Sequence, residues 1–187
     1  MSQVRTVFLA TVFSVAALLV VAFGVGALLA KDWTVETTRT LHADAKQVGA
    51  LVRDLATWAR WAAIDVDLGP QTVREVQGEA GSGTQRIVWT GPQGKAVLTA
   101  TAVTDASIDY TIGPATEPES SASTGRVEWQ AEGAGCRIRW IDRGRFEPML
   151  KRWSGWFGAL QERIKQIHAS SLEMLEREFE RTPPASK

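Results

Sequence analysis

Cysteine is nearly absent from this 187-residue chain; Cys136 stands alone, so no internal disulfide can form. It lies in an alternating apolar stretch and reads as a small core residue, since free cysteine is commonly buried. Metal sites draw on several Cys, His or carboxylate ligands, and the chain has only two histidines, His42 and His168. No sign of charge dominates either: 21 lysines and arginines face 21 acids, mixed along the chain. That argues against the basic stripe that neutralises phosphates, and against nucleic acid as a partner.

Catalytic signatures are equally scarce. Nucleophilic hydrolysis needs a base set beside Ser or Cys, usually histidine. His42 directly precedes a helix cap and reads as a polar turn residue; His168, with Ser170 and Ser171 nearby, reads as a half-buried helix residue. There is no G-x-S-x-G elbow, H-E-x-x-H or P-loop, since "GSGTQR" opens a strand and "GVG" lies inside an apolar run. No catalytic set, metal or cofactor is expected.

A long hydrophobic run is present. Residues 7–30, "VFLATVFSVAALLVVAFGVGALLA", hold 24 positions without a charge. As a helix they would extend roughly 36 Å against a hydrocarbon core of about 30 Å. A secretory signal peptide would have an apolar region of about 7–15 residues and a small-x-small cleavage site. Leu28 occupies the minus-three place if cleavage followed Ala30, so the run predicts an uncleaved transmembrane helix after a short flank, 1–6. Arg5 precedes the run, while Lys31 after it is offset by Asp32 and Glu36. Lysine and arginine are the residues that count, and they are nearly even; the reading leans to a single-pass protein with its domain extracytoplasmic.

Beyond the run, "WTVETTRT" (33–40) alternates as a strand. "HADAKQVGALVRDLATWARW" then changes period. Asp44 with Gln47 three residues on forms a capping-box pattern, and Val48, Leu51, Val52, Leu55 and Trp58 share one face of a helix of three to four turns. Gly69 and Pro70 end that unit. Short alternating segments follow at 71–77, 84–90, 96–103, 107–112, 125–130 and 136–142, separated by turn chemistry such as "GPQGK" and "EGAG". Within each, one parity is apolar: Ile87 and Trp89, Leu98 and Ala100, Ile108, Tyr110 and Ile112, Val127 and Trp129, Ile138 and Trp140. The other parity, with Arg86, Thr99, Asp109, Glu128, Arg137 and Arg139, is wet.

From Pro148 the period is again helical, with Met149, Trp153, Trp156, Phe157, Leu160, Ile164, Ile167, Ser171, Leu175 and Phe179 three or four apart. Gly155 and Gly158 weaken its first turns, so the part before Leu160 reads as a separate piece. The sheet's apolar face is the one large surface on which such a stripe can be buried. The fold class expected is α+β, an antiparallel sheet curled around a long C-terminal helix, over residues 31–181. A frayed tail is expected at 182–187.

Eight tryptophans stand beside a single tyrosine. Aromatic rings suit both packed cores and apolar ligand cavities, and both readings stay open here. The cavity candidates are Trp58, Trp61, Trp89, Tyr110, Trp129, Trp140, Trp153, Trp156, Phe157 and Leu160. Trp33, directly after the apolar run, is a candidate for the headgroup belt where tryptophan is enriched. Asp65 and Asp67, two apart, could share a proton or hold a cation, but no third ligand is visible, and they read as solvated loop acids. "EPESSAS" (117–123) reads as a flexible acidic loop at the cavity rim.

The order strand, helix, meander, closing helix resembles the helix-grip fold of the START-like (SRPBCC) superfamily. It resembles more closely the polyketide cyclase/dehydrase and lipid-transport family. "DLATWARW", "GSGTQRIVW" and "TGRVEWQAEGAGCRIRW" carry the resemblance over about residues 33–181. Ala59 replaces the proline usual between the two tryptophans, and Phe157 matches the aromatic before the closing-helix glycine. The resemblance, with the aromatic face, implies a membrane-anchored domain that binds or carries a hydrophobic small molecule, lipid-like or isoprenoid-like, without catalysis. Two alternatives remain. A cyclase or dehydratase would act in the same cavity through Asp65, Tyr110 or His168, and an assembly module would tether a protein partner to the membrane.

Overall fold

The computed structural model describes residues 31–64, 68–116, 122–146 and 158–181, with scattered positions between 11 and 30. Expectations for Asp65, Asp67, Trp153, Trp156, Phe157, the flank 1–6 and the tail 182–187 lie outside the described residues. The elements run β1 (Asp32–Leu41), α1 (Ala45–Arg53), α2 (Trp58–Trp61), β2 (Val73–Gln77), β3 (Arg86–Gly91), β4 (Gly94–Val103), β5 (Ser107–Pro114), β6 (Ser123–Glu132), β7 (Gly135–Arg145) and α3 (Ala159–Arg181).

All strand pairs are antiparallel, in the order β1-β7-β6-β5-β4-β3-β2. The meander expected from the alternation is β2 to β7. Strand β1 closes onto β7 at the far edge, Asp32 opposite Arg145 and Leu41 opposite Cys136. The registers gather the starts of β1, β2, β4 and β6 and the ends of β3, β5 and β7 at one end of the sheet, here called the entry end. The chain arrives there from the 7–30 run.

The apolar parity forms the buried face. Ile87, Trp89, Leu98, Ala100, Ile108, Tyr110, Val127, Trp129, Ile138 and Trp140 pack in one core with Val48, Val52, Leu172 and Leu175, and Ile112 is half-buried against it. Cys136 is fully buried in the same core. Each large side chain so buried contributes about 1.5–3 kcal/mol. α1 lies across β5, β6 and β7. Its approach depends on Gly49, where a Cβ would overlap the Trp129 indole. A helix-interior glycine costs roughly 0.8–1 kcal/mol in propensity, so packing prevails over propensity at this position.

The single first helix expected from the periodicity is two pieces. α1 ends at Arg53, and Asp54 is extended, φ −99 and ψ 109. The cause is a polar hook just ahead of β3, the buried Gln85. Its Oε1 accepts from Leu55 N at 2.9 Å and its Nε2 donates to Asp54 Oδ1 at 2.8 Å. The freed helix carbonyls are also taken: Thr57 Oγ1 donates to Leu51 O at 2.5 Å, and Trp58 Nε1 donates to Val52 O at 2.8 Å. Leu55 is fully buried, but in the link between helices.

One further expectation is corrected. Trp33 is not in an exposed belt; it is 8% exposed and packs with Val35, Phe146 and Ile164. The indole lies across Gly144, where a Cβ would overlap it, so a glycine on the neighbouring strand makes its slot. Among the described residues, no helix is long and apolar enough to cross a membrane. The described positions of the 7–30 run up to Leu28 are helical, with Phe13, Leu18, Val20 and Leu28 exposed.

Gln85→Ala is expected to cost about 1–3 kcal/mol, because it leaves the buried Leu55 N–H without an acceptor. Urea unfolding of the variant beside the parent checks it.

Candidate functional site

The candidate site is built where β5, β7, β1 and α3 meet. Asp142 follows Ile138 and Trp140 at the same parity on β7, so its carboxylate points into the apolar side of the sheet. Tyr110 on β5 donates to Asp142 Oδ1 at 2.6 Å. His168 Nε2 lies 2.8 Å from Asp142 Oδ2, and its Nδ1 lies 3.2 Å from Thr37 Oγ1 on β1. Trp140 Nε1 donates to the Tyr110 oxygen at 2.7 Å. Each of these polar atoms has a partner within the cluster.

Rings enclose it. Trp140 stacks on His168 with centroids 4.5 Å apart. Trp58 meets Trp61 at 5.1 Å, Tyr110 at 5.5 Å and Trp140 at 5.9 Å, while Trp61 meets Trp140 at 5.8 Å. Pairs of this kind each contribute about 0.5–1.5 kcal/mol beyond area burial. α2 positions both tryptophans, and Ala63 N donates to Ser171 Oγ on α3 at 2.8 Å, pinning the exit of α2 to the closing helix. Gly125 is required beneath them, since a Cβ there would overlap the Tyr110 ring and the Asp142 carboxylate.

Burial, then the neighbouring Asp142 charge and its hydrogen bond, push the Tyr110 phenol well above its ordinary value of 10.0. The convex face is charged instead. Arg139 grips Glu36 with two bonds, 2.7 and 2.8 Å, and also reaches Glu128. That grip holds the Glu36 carboxyl below its ordinary range. A groove of about 690 Å³ lies here, lined by Glu36, Arg126, Glu128 and Arg139 among others. Trp129 and Ala106 line it beside these ion-paired side chains. Among the described residues no group of His, Cys, Asp and Glu could hold a metal ion.

Of the cavity candidates, the structure brings Trp58, Trp61, Tyr110 and Trp140 into direct contact; Trp89 and Trp129 are buried on the same face. Leu160 is 38% exposed. Trp153, Trp156 and Phe157 lie outside the described residues. His168, expected to be half-buried, is fully buried. The buried residues of α3 are His168, Ser171, Leu172 and Leu175; Ser171 and Leu175 belong to the expected stripe, while His168 and Leu172 are buried and Ile167 is half-buried. Sequence reasoning missed Asp142, although a signal existed, an acid two residues after Trp140 at the apolar parity of its strand.

The chain belongs to the polyketide cyclase/dehydrase and lipid transport family, whose model matches residues 32–180. No curated protein matches it. Among solved structures it is similar to a Thermobifida fusca protein, 16% identical, covering 82% of this chain and 97% of that one with a TM-score of 0.56. A Nitrosospira multiformis protein is 17% identical over 79% and 96% of the two chains, TM-score 0.56. The Aha1 dimer from Colwellia psychrerythraea is 10% identical over 77% and 96%, TM-score 0.53. At these identities the likeness is one of fold.

Tyr110 is the sole tyrosine, so phenolate absorbance reads it alone. Its folded pKa exceeds its unfolded one, so the stability it contributes is present below about pH 10 and declines above it. Phenolate absorbance should therefore appear only with unfolding. Tyr110→Phe should cost about 1–3 kcal/mol and remove that alkaline dependence, as measured by urea titrations across pH.

Proposed function

We propose that the protein binds or carries a hydrophobic small molecule, lipid-like or isoprenoid-like, in the interior of the helix grip, and that residues 7–30 tether it to a membrane with the domain on the extracytoplasmic side. The observation that carries this reading is the aromatic, apolar concave face with one polar cluster set into it, the composition of small-molecule sites. Because Trp58, Trp61, Tyr110 and Trp140 fill the space between them, a ligand would sit beyond this quartet, toward the entry end. Ile64, Leu68 and Ile112 are only partly buried against the core there. The tether is supported by the uncharged run and by its exposed apolar helical positions. Such a run attached at Asp32 would set the entry end toward the bilayer.

One observation favours a catalytic variant of the same reading: Tyr110 and His168, two of the three residues a cyclase or dehydratase would use, meet at Asp142 inside. Against it, their protons are already engaged with one another. The binding reading therefore ranks first.

The full chain, purified from solubilised membranes, should release a bound apolar compound to mass spectrometry, and added lipid extract should alter its tryptophan emission. Repeated recovery of empty protein, with emission indifferent to lipids, would sink the proposal. Protease access in intact cells should cut the domain only after the outer barrier is opened from outside.

A further inference from the structure

The polar cluster has spare capacity of only one kind. Trp140 Nε1 is spent on Tyr110, Tyr110 on Asp142, and Ser171 Oγ on the carbonyl of Ile167. His168 is held between Asp142 and Thr37. Asp142 is different: among the described residues it receives one hydrogen bond on each oxygen, whereas a carboxylate offers about four lone-pair sites. Its side chain is 16% exposed, against 0% for His168. By its parity that exposed edge opens on the concave side, just entry-ward of Trp140. A second acceptor lies on the same side: Gln161, seven residues before His168 and so on the same face of α3, has a buried Oε1 with no hydrogen-bond partner among the described residues. A buried acceptor without a donor costs free energy that a donor from a ligand would recover.

We propose that the ligand of this interior is an apolar molecule whose polar end donates hydrogen bonds, a hydroxyl or an ammonium, received by Asp142 or, about two turns nearer the entry end, by Gln161. The inference rests on the binding reading above and names its ligand class. A carboxylate or phosphate head fits poorly, since it would meet the Asp142 charge where the neighbouring donors are already committed.

Three probes of one chain length test it on the full chain in zwitterionic nanodiscs: dodecanol, dodecylamine and dodecanoate. Binding is followed by tryptophan emission and calorimetry, with empty nanodiscs subtracted. Dodecanol or dodecylamine should bind at least about tenfold more tightly than dodecanoate. Asp142→Asn should narrow that gap, and circular dichroism reports whether it folds; Gln161→Leu, which leaves the network intact, should narrow it too. Dodecanoate binding as tightly as both others overturns the inference while leaving the binding reading in place, as does a preference unchanged in both variants. Binding of none of the three removes the binding reading itself, and the inference with it.

Discussion

The hydrogen bonds that converge on Asp142 tie together four elements distant in sequence: β1 through Thr37, β5 through Tyr110, β7 through Asp142 and Trp140, and α3 through His168. A carboxylate in an apolar interior is tolerated only when its lone pairs are met, since an unpaired buried charge costs several kcal/mol. Meeting them fixes the rotation of α3, because His168 must face the sheet, and Leu172 is then buried beside Ser171 and Leu175. It also fixes the side-chain volumes nearby. Gly125 is needed under Tyr110, and Trp140 must lie flat enough to stack on the imidazole.

The same logic of satisfied polar groups shapes the first helix. A continuous helix through residue 61 would have been acceptable to the hydrophobic periodicity, yet Gln85 supplies Leu55 N with an acceptor and Asp54 with a donor. With those bonds made, the chain can leave the helix at Asp54 and restart at Trp58 without stranding backbone groups. The restart aims both indoles of α2 at Trp140 instead of along the α1 stripe. Trp61 thereby becomes a core residue that touches Trp58 and Trp140. On the entry side of this quartet Ile64, Leu68 and Ile112 are only half-buried.

Strand parity was legible because it is local: residues two apart share a face wherever the strand is placed, and the apolar parity from Ile87 through Trp140 is the buried one. Turn chemistry located the loops for the same reason. Asp142 shared the parity of Trp140 and was open to the same reasoning, but an acid reads as solvent-facing until its partners are known. Gly49, Gly125 and Gly144 carried no signal, since what each makes room for, Trp129, Tyr110 and Trp33, comes from another strand or helix. Trp33 looked exposed beside the apolar run because its cover, Phe146 and Ile164, lies more than a hundred residues away.

The amino-acid sequence by itself determined the family, the alternation of the seven strands, the helical period of both ends of the domain and the choice of an aromatic interior; each depends on residues close together along the chain. Only the tertiary structure decided that β1 pairs with β7, that the first helix breaks at Asp54, and that Tyr110, Asp142 and His168 form one cluster. Those outcomes turn on hydrogen bonds and ring contacts between segments up to about 130 residues apart, such as Thr37 with His168, and a donor's partner is defined only once the chain has closed around it.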